Sequence, residues 1–167
     1  GTRGGGLSLL KQENRKSGRF VNYQHQSDNP NSLSSNTVGA IYEDESGLLW
    51  LGTETGGLNI LNPKNGIFTH YKHIPQNSFS LSHNNVNHIY QDNNDILWIS
   101  TWGGGLNKYS RNKEKFRKYQ NNPNNQNSLS NNFVFSFCED RYGFIWIGTI
   151  GGGLNRMNPY IVKRATQ

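Results

Sequence analysis

The sequence repeats itself with a period of 48 residues. Three copies carry a tryptophan within an aliphatic run, and Trp50, Trp98 and Trp146 are separated by 98 − 50 = 48 and 146 − 98 = 48 residues. Each run is followed within a few residues by Gly-Gly-Leu-Asn, and residues 1–7 repeat the end of the same unit. A fixed period of roughly 20 to 50 residues is typical of solenoids, propellers and arrays. We therefore expect a repeat protein whose sequence starts inside a unit, with the true N-terminus elsewhere.

The composition is polar enough to raise disorder as an alternative. Hydrophobic residues make up 32% of the chain, and the mean hydropathy is −0.80. However, the 4 Trp, 8 Tyr and 8 Phe largely recur at fixed positions, whereas disordered segments are poor in aromatic residues. No apolar run approaches the roughly 20 residues of a membrane span. We expect a folded chain with a small core in each repeat, polar loops and no direct insertion into a membrane.

Each repeat predicts four short β-strands. One begins at Gly-Gly-Leu, a second contains a recurring Phe and Tyr, a third begins at a recurring Val, and the fourth contains the tryptophan. Runs rich in Asn, Pro and Ser separate the second strand from the third and have the composition of loops. A leucine recurs in each loop and is expected to pin it against a neighbouring unit: Leu33, Leu81 and Leu129.

An acidic turn precedes each tryptophan strand. Asp44, Asp92 and Asp140 begin these turns, and an early Asp followed by a late Gly is typical of turns because the carboxylate accepts hydrogen bonds from nearby backbone amides. We interpret the three residues as turn formers rather than as metal ligands or catalytic acids. The segment 92–95 lacks the glycine and the distant glutamate of a calcium-binding helix-loop-helix.

Four-stranded antiparallel sheets that repeat at this length are the blades of β-propellers. We predict an all-β chain, a propeller fragment of about three blades plus part of a fourth. Its tryptophan strands are apolar at every position, as expected where both faces of a blade pack on other blades. The predicted sections are two outer strands of a partial blade in 1–26, full blades in 27–74 and 75–122, a partial blade in 123–159 and a tail in 160–167.

Few side chains suggest chemistry. The single cysteine, Cys138, lies in an apolar strand and is expected to be a small buried hydrophobic residue. The five histidines do not all recur in register, which favours scattered surface positions over metal ligands. The glycine runs lack the following helix and Lys-Ser/Thr of a phosphate-binding loop. We expect no catalysis, no cofactor and no metal site.

The formal charge of +6 raises the question of an acidic partner. Most basic residues lie in the hairpins that follow Gly-Gly-Leu. Lysine on an exposed edge strand blocks edge-to-edge pairing, so we interpret them as a solvated edge; an acidic polymer is the alternative, and nucleic acid is not expected. The basic hairpin residues are Lys11, Arg15, Lys16, Arg19, Arg111, Lys113, Lys115, Arg117 and Lys118.

A ligand site in a repeat protein is expected where equivalent positions differ and share one face. The residue after Gly-Thr or Ser-Thr differs in every repeat and lies between the tryptophan strand and the Gly-Gly-Leu strand. The ends of the polar loops should emerge on the same face, where Trp102 could stack on a sugar ring; drift of loop residues without a ligand stays open as the alternative. The ligand-binding candidates are Arg3, Glu54, Trp102, His83, Asn84 and Asn132.

The order Val-x-x-Ile/Phe-x-x-Asp, Leu/Ile-Trp-Ile/Leu-Gly-Thr and Gly-Gly-Leu-Asn resembles the two-component regulator propeller repeat. The resemblance covers residues 1 to about 159. Ser100 stands where the other copies have the Gly of Gly-Thr, Asp95 stands where they have the turn Gly, and Cys138 stands where they have Tyr. These departures affect local turn geometry and leave the pattern intact.

The resemblance implies a non-catalytic sensor segment of a bacterial two-component signalling protein. Members of that family carry many such repeats on the periplasmic or extracellular side of membrane-bound hybrid kinases and detect oligosaccharides. The alternative is a structural or protein-binding propeller, and a propeller lyase or hydrolase is a third class without identified residues. Propellers have four to eight blades, so we expect either further blades from a parent chain or a homo-oligomer.

Overall fold

The computed structural model describes residues 1–160 and consists of β-strands joined by turns and loops, with two short 3-10 turns at Gln12–Asn14 and Arg111–Lys113. No helix in these residues is long and apolar enough to cross a membrane. The predicted tail, 160–167, lies outside the described residues except for Tyr160. The strands are β1 Leu7–Leu9, β2 Val21–Tyr23, β3 Val38–Glu43, β4 Leu49–Thr53, β5 Leu58–Asn62, β6 Ile67–Tyr71, β7 Val86–Gln91, β8 Leu97–Thr101, β9 Gly105–Ser110, β10 Lys115–Tyr119, β11 Val134–Glu139, β12 Ile145–Thr149 and β13 Gly153–Met157.

The strands form four antiparallel sheets in chain order, which confirms the predicted all-β fold. The first sheet is β1-β2, the second β3-β4-β5-β6, the third β7-β8-β9-β10 and the fourth β11-β12-β13. Strand β7 contacts both β3 and β11, so the first strands of the last three sheets lie next to one another. We call these sheets blades one to four.

The acidic turns have the predicted structure. In blade two, Oδ1 of Asp44 accepts hydrogen bonds from the backbone N–H of Ser46 and Leu48 at 3.0 and 3.1 Å. The corresponding amides bind Asp92 and Asp140 in the next two blades. The last turn position has a φ of 79° at Gly47 and of 61° at Asp95, so aspartate adopts the left-handed conformation that glycine has in the other turns.

The core lies between blades. Trp50 and Leu58 of blade two pack against Ile89 and Tyr109 of blade three, and the ring centroids of Trp50 and Tyr109 are 5.3 Å apart. Equivalent residues of blade three pack against blade four, and a third cluster joins blades one and two. The loop leucines are buried in these clusters, as predicted: Leu33, Leu81 and Leu129.

Blade four leaves one face open. Leu154 is 67% exposed, whereas its equivalents Leu58 and Leu106 are 0% exposed because the next blade covers them. The predicted burial of Cys138 is wrong, since its side chain is exposed on this face. Its equivalents, Tyr42 and Tyr90, are partly covered by the following blade.

Candidate functional site

The divergent positions after each Thr lie in one row. The N–H groups of Glu54, Trp102 and Ile150 donate to the carbonyl oxygens at positions 37, 85 and 133, at 3.1, 2.9 and 2.9 Å. Arg3 pairs across an isolated bridge with Thr37 of the next blade. These contacts recur from blade to blade at the same end of the sheets. The loops predicted to share a face therefore meet there through their backbones.

The most distinct part of this row is an aromatic pair. Trp102 forms an isolated bridge with Phe133 of the following blade, and their ring centroids are 5.5 Å apart with an interplanar angle of 78°. Both rings are accessible, at 37% and 41% of their surface. Buried aromatic residues of this fold form its core, whereas the accessible part of these two rings is free to contact another molecule.

Phe133 was not among the predicted site residues. The two preceding repeats have Thr37 and Asn85 at the position equivalent to Phe133. This position therefore differs from repeat to repeat, as the position of Trp102 does. The divergence that selected Trp102 could have selected Phe133 as well.

Arg3 and Glu54 are exposed at two further places in the row. Neither forms an ion pair within 4.0 Å among residues 1–160. The structure therefore leaves both charges accessible and does not bring either into direct polar contact with Trp102.

The remaining candidates have roles within the fold. Oδ1 of Asn84 accepts the backbone N–H of His73 at 2.7 Å, and Oδ1 of Asn132 accepts that of Asn121 at 2.7 Å. Nδ1 of His83 accepts the N–H of Asn85 at 3.1 Å. These bonds shape the loop ends, so His83, Asn84 and Asn132 position the row whether or not they also contact a ligand.

The residues that recur in each copy of the motif have structural roles. Thr53 donates its hydroxyl proton to the carbonyl of Gly57 at 2.8 Å, which closes the connection after the tryptophan strand. Asn59, the last residue of Gly-Gly-Leu-Asn, accepts the N–H of Ser34 at 2.9 Å and donates to its hydroxyl at 2.7 Å. The same bonds recur in blades three and four. The repeated motif therefore closes each blade and anchors its incoming loop.

Each acidic turn also binds its tryptophan, which sequence reasoning missed. Nε1 of Trp50 donates to Oδ2 of Asp44 at 2.8 Å, and Arg111 of the next blade contacts the same oxygen at 3.1 Å. Burial raises the pKa of Asp44, but hydrogen bonds from Ser46, Trp50 and Leu48 outweigh it and hold the pKa below its ordinary value. A carboxylate held charged by fixed donors is suited to a structural role.

Two of the histidines bind the loops of their own blades. His25 and His73 each place Nδ1 at 2.8 to 2.9 Å from the carbonyl of a loop leucine, a position where Asn121 substitutes through its amide. Burial lowers the pKa of His88, whose ring lies 4.6 Å from that of Phe137. Residues 1–160 contain no group of three His, Cys, Asp or Glu side chains arranged to hold a metal ion.

The repeat pattern matches a known family. The two-component regulator propeller family matches residues 32–55, 80–103 and 128–151, one segment in each of the last three repeats. Each segment runs from the loop serine through the tryptophan strand to the divergent row. A comparison with curated proteins finds no match.

Solved structures with this fold include bacterial extracellular domains. The extracellular domain of the hybrid two-component system BT3049 from B. thetaiotaomicron is 28% identical, with a TM-score of 0.74, over 84% of this chain and 19% of that one. That of the one-component system BT4673 from the same organism is 25% identical, with a TM-score of 0.74, over 95% of this chain and 22% of that one.

Virginiamycin B lyase from Staphylococcus aureus shares the fold alone, at 12% identity and a TM-score of 0.57, over 93% of this chain and 49% of that one. The chain thus spans about a fifth of the length of the two extracellular domains. With the three matched segments in phase and four sheets stacked as blades, the chain carries repeats of the two-component regulator propeller.

Proposed function

We propose that the chain is a non-catalytic segment of a bacterial sensor that binds an oligosaccharide outside the cytoplasm, on the periplasmic or extracellular side. The similar extracellular domains of a hybrid two-component system and of a one-component system support the sensor role and its location. The exposed Trp102–Phe133 pair is the observation that supports a sugar ligand. Its rings offer an apolar surface to the C–H face of a sugar, while Arg3 and Glu54 lie elsewhere in the same row to bind hydroxyl groups.

The position of the row between blades suggests how ligand binding produces a signal. Trp102 belongs to blade three and Phe133 to the loop entering blade four, so a ligand held by both rings bridges two blades. A ligand that binds one packing arrangement more tightly shifts the population toward it. Such a shift between propellers or between protomers would bias the signalling state of a kinase dimer.

The test is calorimetric titration of the chain with a panel of neutral oligosaccharides. Trp102→Ala should weaken binding by about tenfold or more, because an exposed aromatic surface is lost. Tyr142→Ala is the matched control, since Tyr142 is an exposed aromatic residue in an acidic turn away from the row. Equal losses in both variants, or no binding by any oligosaccharide, would contradict the proposal.

The open face of blade four favours a second role, assembly with another blade. Leu154, Phe135 and Ile150 are 67%, 65% and 45% exposed, and large apolar patches on soluble proteins mark interaction surfaces. The fitting partner is a further propeller blade, from the parent chain or from a second copy. Sedimentation of the isolated chain should show concentration-dependent association that Leu154→Lys weakens; a well-folded monomer at every concentration would rule it out.

A further inference from the structure

Blades two and three carry grooves built from equivalent positions with different chemistry. The groove on blade two has a volume of about 360 Å³ and is lined by Ile60, Ile67 and Thr69. The groove on blade three has a volume of about 590 Å³ and has Lys108, Lys115 and Arg117 at the positions 48 residues later. Asn65 of the first groove likewise corresponds to Lys113 of the second, so four neutral side chains of blade two correspond to cations of blade three.

One more basic residue, Lys118, extends this surface, which we call the basic groove. Its cations are Lys108, Lys113, Lys115, Arg117 and Lys118. None of them forms an ion pair within 4.0 Å among residues 1–160. Glu114, the one acidic residue of the hairpin, adopts a left-handed conformation with a φ of 49° and lines the groove of blade two instead.

Three of these five cations contact aromatic rings and are not neutralised by an ion pair within the described part of the chain. Nζ of Lys115 lies 4.4 Å from the ring centroid of Phe79, and that of Lys108 lies 5.6 Å from Trp98. The guanidinium of Arg117 lies 5.3 Å from Tyr119. Contact with an aromatic face restrains a cation and leaves its charge uncompensated, so these residues are poised to bind an anion.

The groove is open because of where it lies. The equivalent groove on blade two lies beside a complete four-stranded blade three and still stays accessible. Ile67, which lines it, is 48% exposed. The accessibility of the basic groove is therefore a property of the outer strands β9 and β10.

The geometry suits a short, linear anion. Lys108 lies directly opposite Arg117 in the β9-β10 register. Facing side chains are about 5 Å apart across strands, and alternate residues about 7 Å apart along a strand. Cations spaced in this way can contact several anionic groups along one linear molecule. The volume is that of a small-molecule site, roughly 300 to 1,000 Å³, and Phe79, 53% exposed, adds an apolar surface for a sugar ring.

We propose that the basic groove binds the carboxylate or sulfate groups of an acidic oligosaccharide. This rests on the proposed function for the class of ligand, and it adds an acidic character and a second contact surface away from the aromatic row. Positive charge is the feature that distinguishes this groove from its neutral counterpart on blade two.

The test uses tetragalacturonate and its fully methyl-esterified, uncharged form, titrated into the chain. The acid should bind roughly tenfold more tightly than the ester, with the difference shrinking as salt is added. Lys108→Gln/Lys115→Gln/Arg117→Gln should remove about tenfold of the affinity for the acid. The control Arg15→Gln/Lys16→Gln/Arg19→Gln makes the same change in net charge on the exposed hairpin of blade one, and it should leave affinity within about twofold.

Equal losses in the two triple variants would overturn the proposal, because net charge alone would then explain binding. So would equal affinity for acid and ester, or groove-dependent binding of a single-stranded oligonucleotide without binding of the acid. A further outcome is that neutral oligosaccharides bind through Trp102, while the affinity for the acid does not depend on the basic groove. That result would contradict this inference but not the proposed function. If no oligosaccharide binds, both this inference and the proposed function are contradicted.

Discussion

Blades three and four share the same motif and differ in what lies beside them. Trp98 and Leu106 of blade three are fully buried under blade four, whereas Trp146 and Leu154 occupy the same motif positions and are partly or largely exposed. The internal hydrogen bonds are alike, since Trp146 donates to Asp140 at 2.7 Å as Trp98 donates to Asp92 at 2.8 Å. The motif therefore builds each sheet, but a neighbouring blade supplies much of its burial.

The largest predicted difference concerns the leucine of Gly-Gly-Leu-Asn. Leu106→Ala should lower the free energy of unfolding by about 2–5 kcal/mol, since it leaves a cavity between two blades. Leu154→Ala should cost less than about 0.5 kcal/mol, because the side chain is mostly in water. Urea unfolding of both variants measures the contrast. Similar losses would mean that blade four is covered as fully as blade three.

A smaller difference is expected at the glycine of Gly-Thr. A Cβ at Gly52 would lie 2.7 Å from both the carbonyl oxygen and Cγ1 of Val86 in the next blade, while one at Gly148 would meet nothing closer than Ser136 at 3.5 Å. Gly52→Ala should therefore cost about 1–3 kcal/mol through overpacking, and Gly148→Ala almost nothing.

Thermal unfolding of the two glycine variants checks this. A destabilised Gly148→Ala beside a neutral Gly52→Ala would reverse the expected order and contradict the blade contact.

The smallest effect concerns acid stability. The pKa of Asp44 is lowered in the folded chain, so its contribution is complete above the ordinary aspartate pKa of about 3.9 and is lost as the pH falls through the lower folded pKa. The hydrogen bond from Trp146 likewise lowers the pKa of Asp140, and the positive charge of Arg156 in the same blade also lowers it. Arg111 contacts Asp44 from the next blade.

Asp44→Asn and Asp140→Asn should therefore each flatten the dependence of the unfolding free energy on pH in the acid range, because each removes a carboxyl group whose pKa is lowered in the folded chain. Urea titrations at a series of pH values below 6 measure both slopes. An unchanged slope in either variant would contradict the role assigned to that carboxylate.

Most of the fold could be predicted because its signals are local and repeated. The spacing of the tryptophans predicted the blades. The acidic turns were predicted because a tight turn needs an acceptor for its backbone amides. The exposure of Cys138 could not be predicted, since it depends on a neighbouring blade rather than on its own strand. The hydrogen bonds between aspartate and tryptophan were missed because the recurrence of two residues in a sequence does not show that their side chains bind each other.

The site was harder to predict for a physical reason. Divergence pointed to Trp102, which the structure pairs with Phe133. Asn84 and Asn132 were predicted from their place at the loop ends, and their oxygens bind backbone amides. An asparagine at a loop end can serve the loop or a ligand, and only its hydrogen-bond partners distinguish the two. Histidine and asparagine likewise alternate at position 73 and its equivalents because both bond the leucine carbonyl.

Hydrogen exchange of the dilute chain tests most directly whether a blade depends on its neighbours. Amides of β8 and β9, between two blades, should exchange far more slowly than those of β12 and β13, whose outer face is open. Raising the concentration should slow exchange in β12 and β13 as copies associate. Equal protection of blades three and four, independent of concentration, would contradict the account.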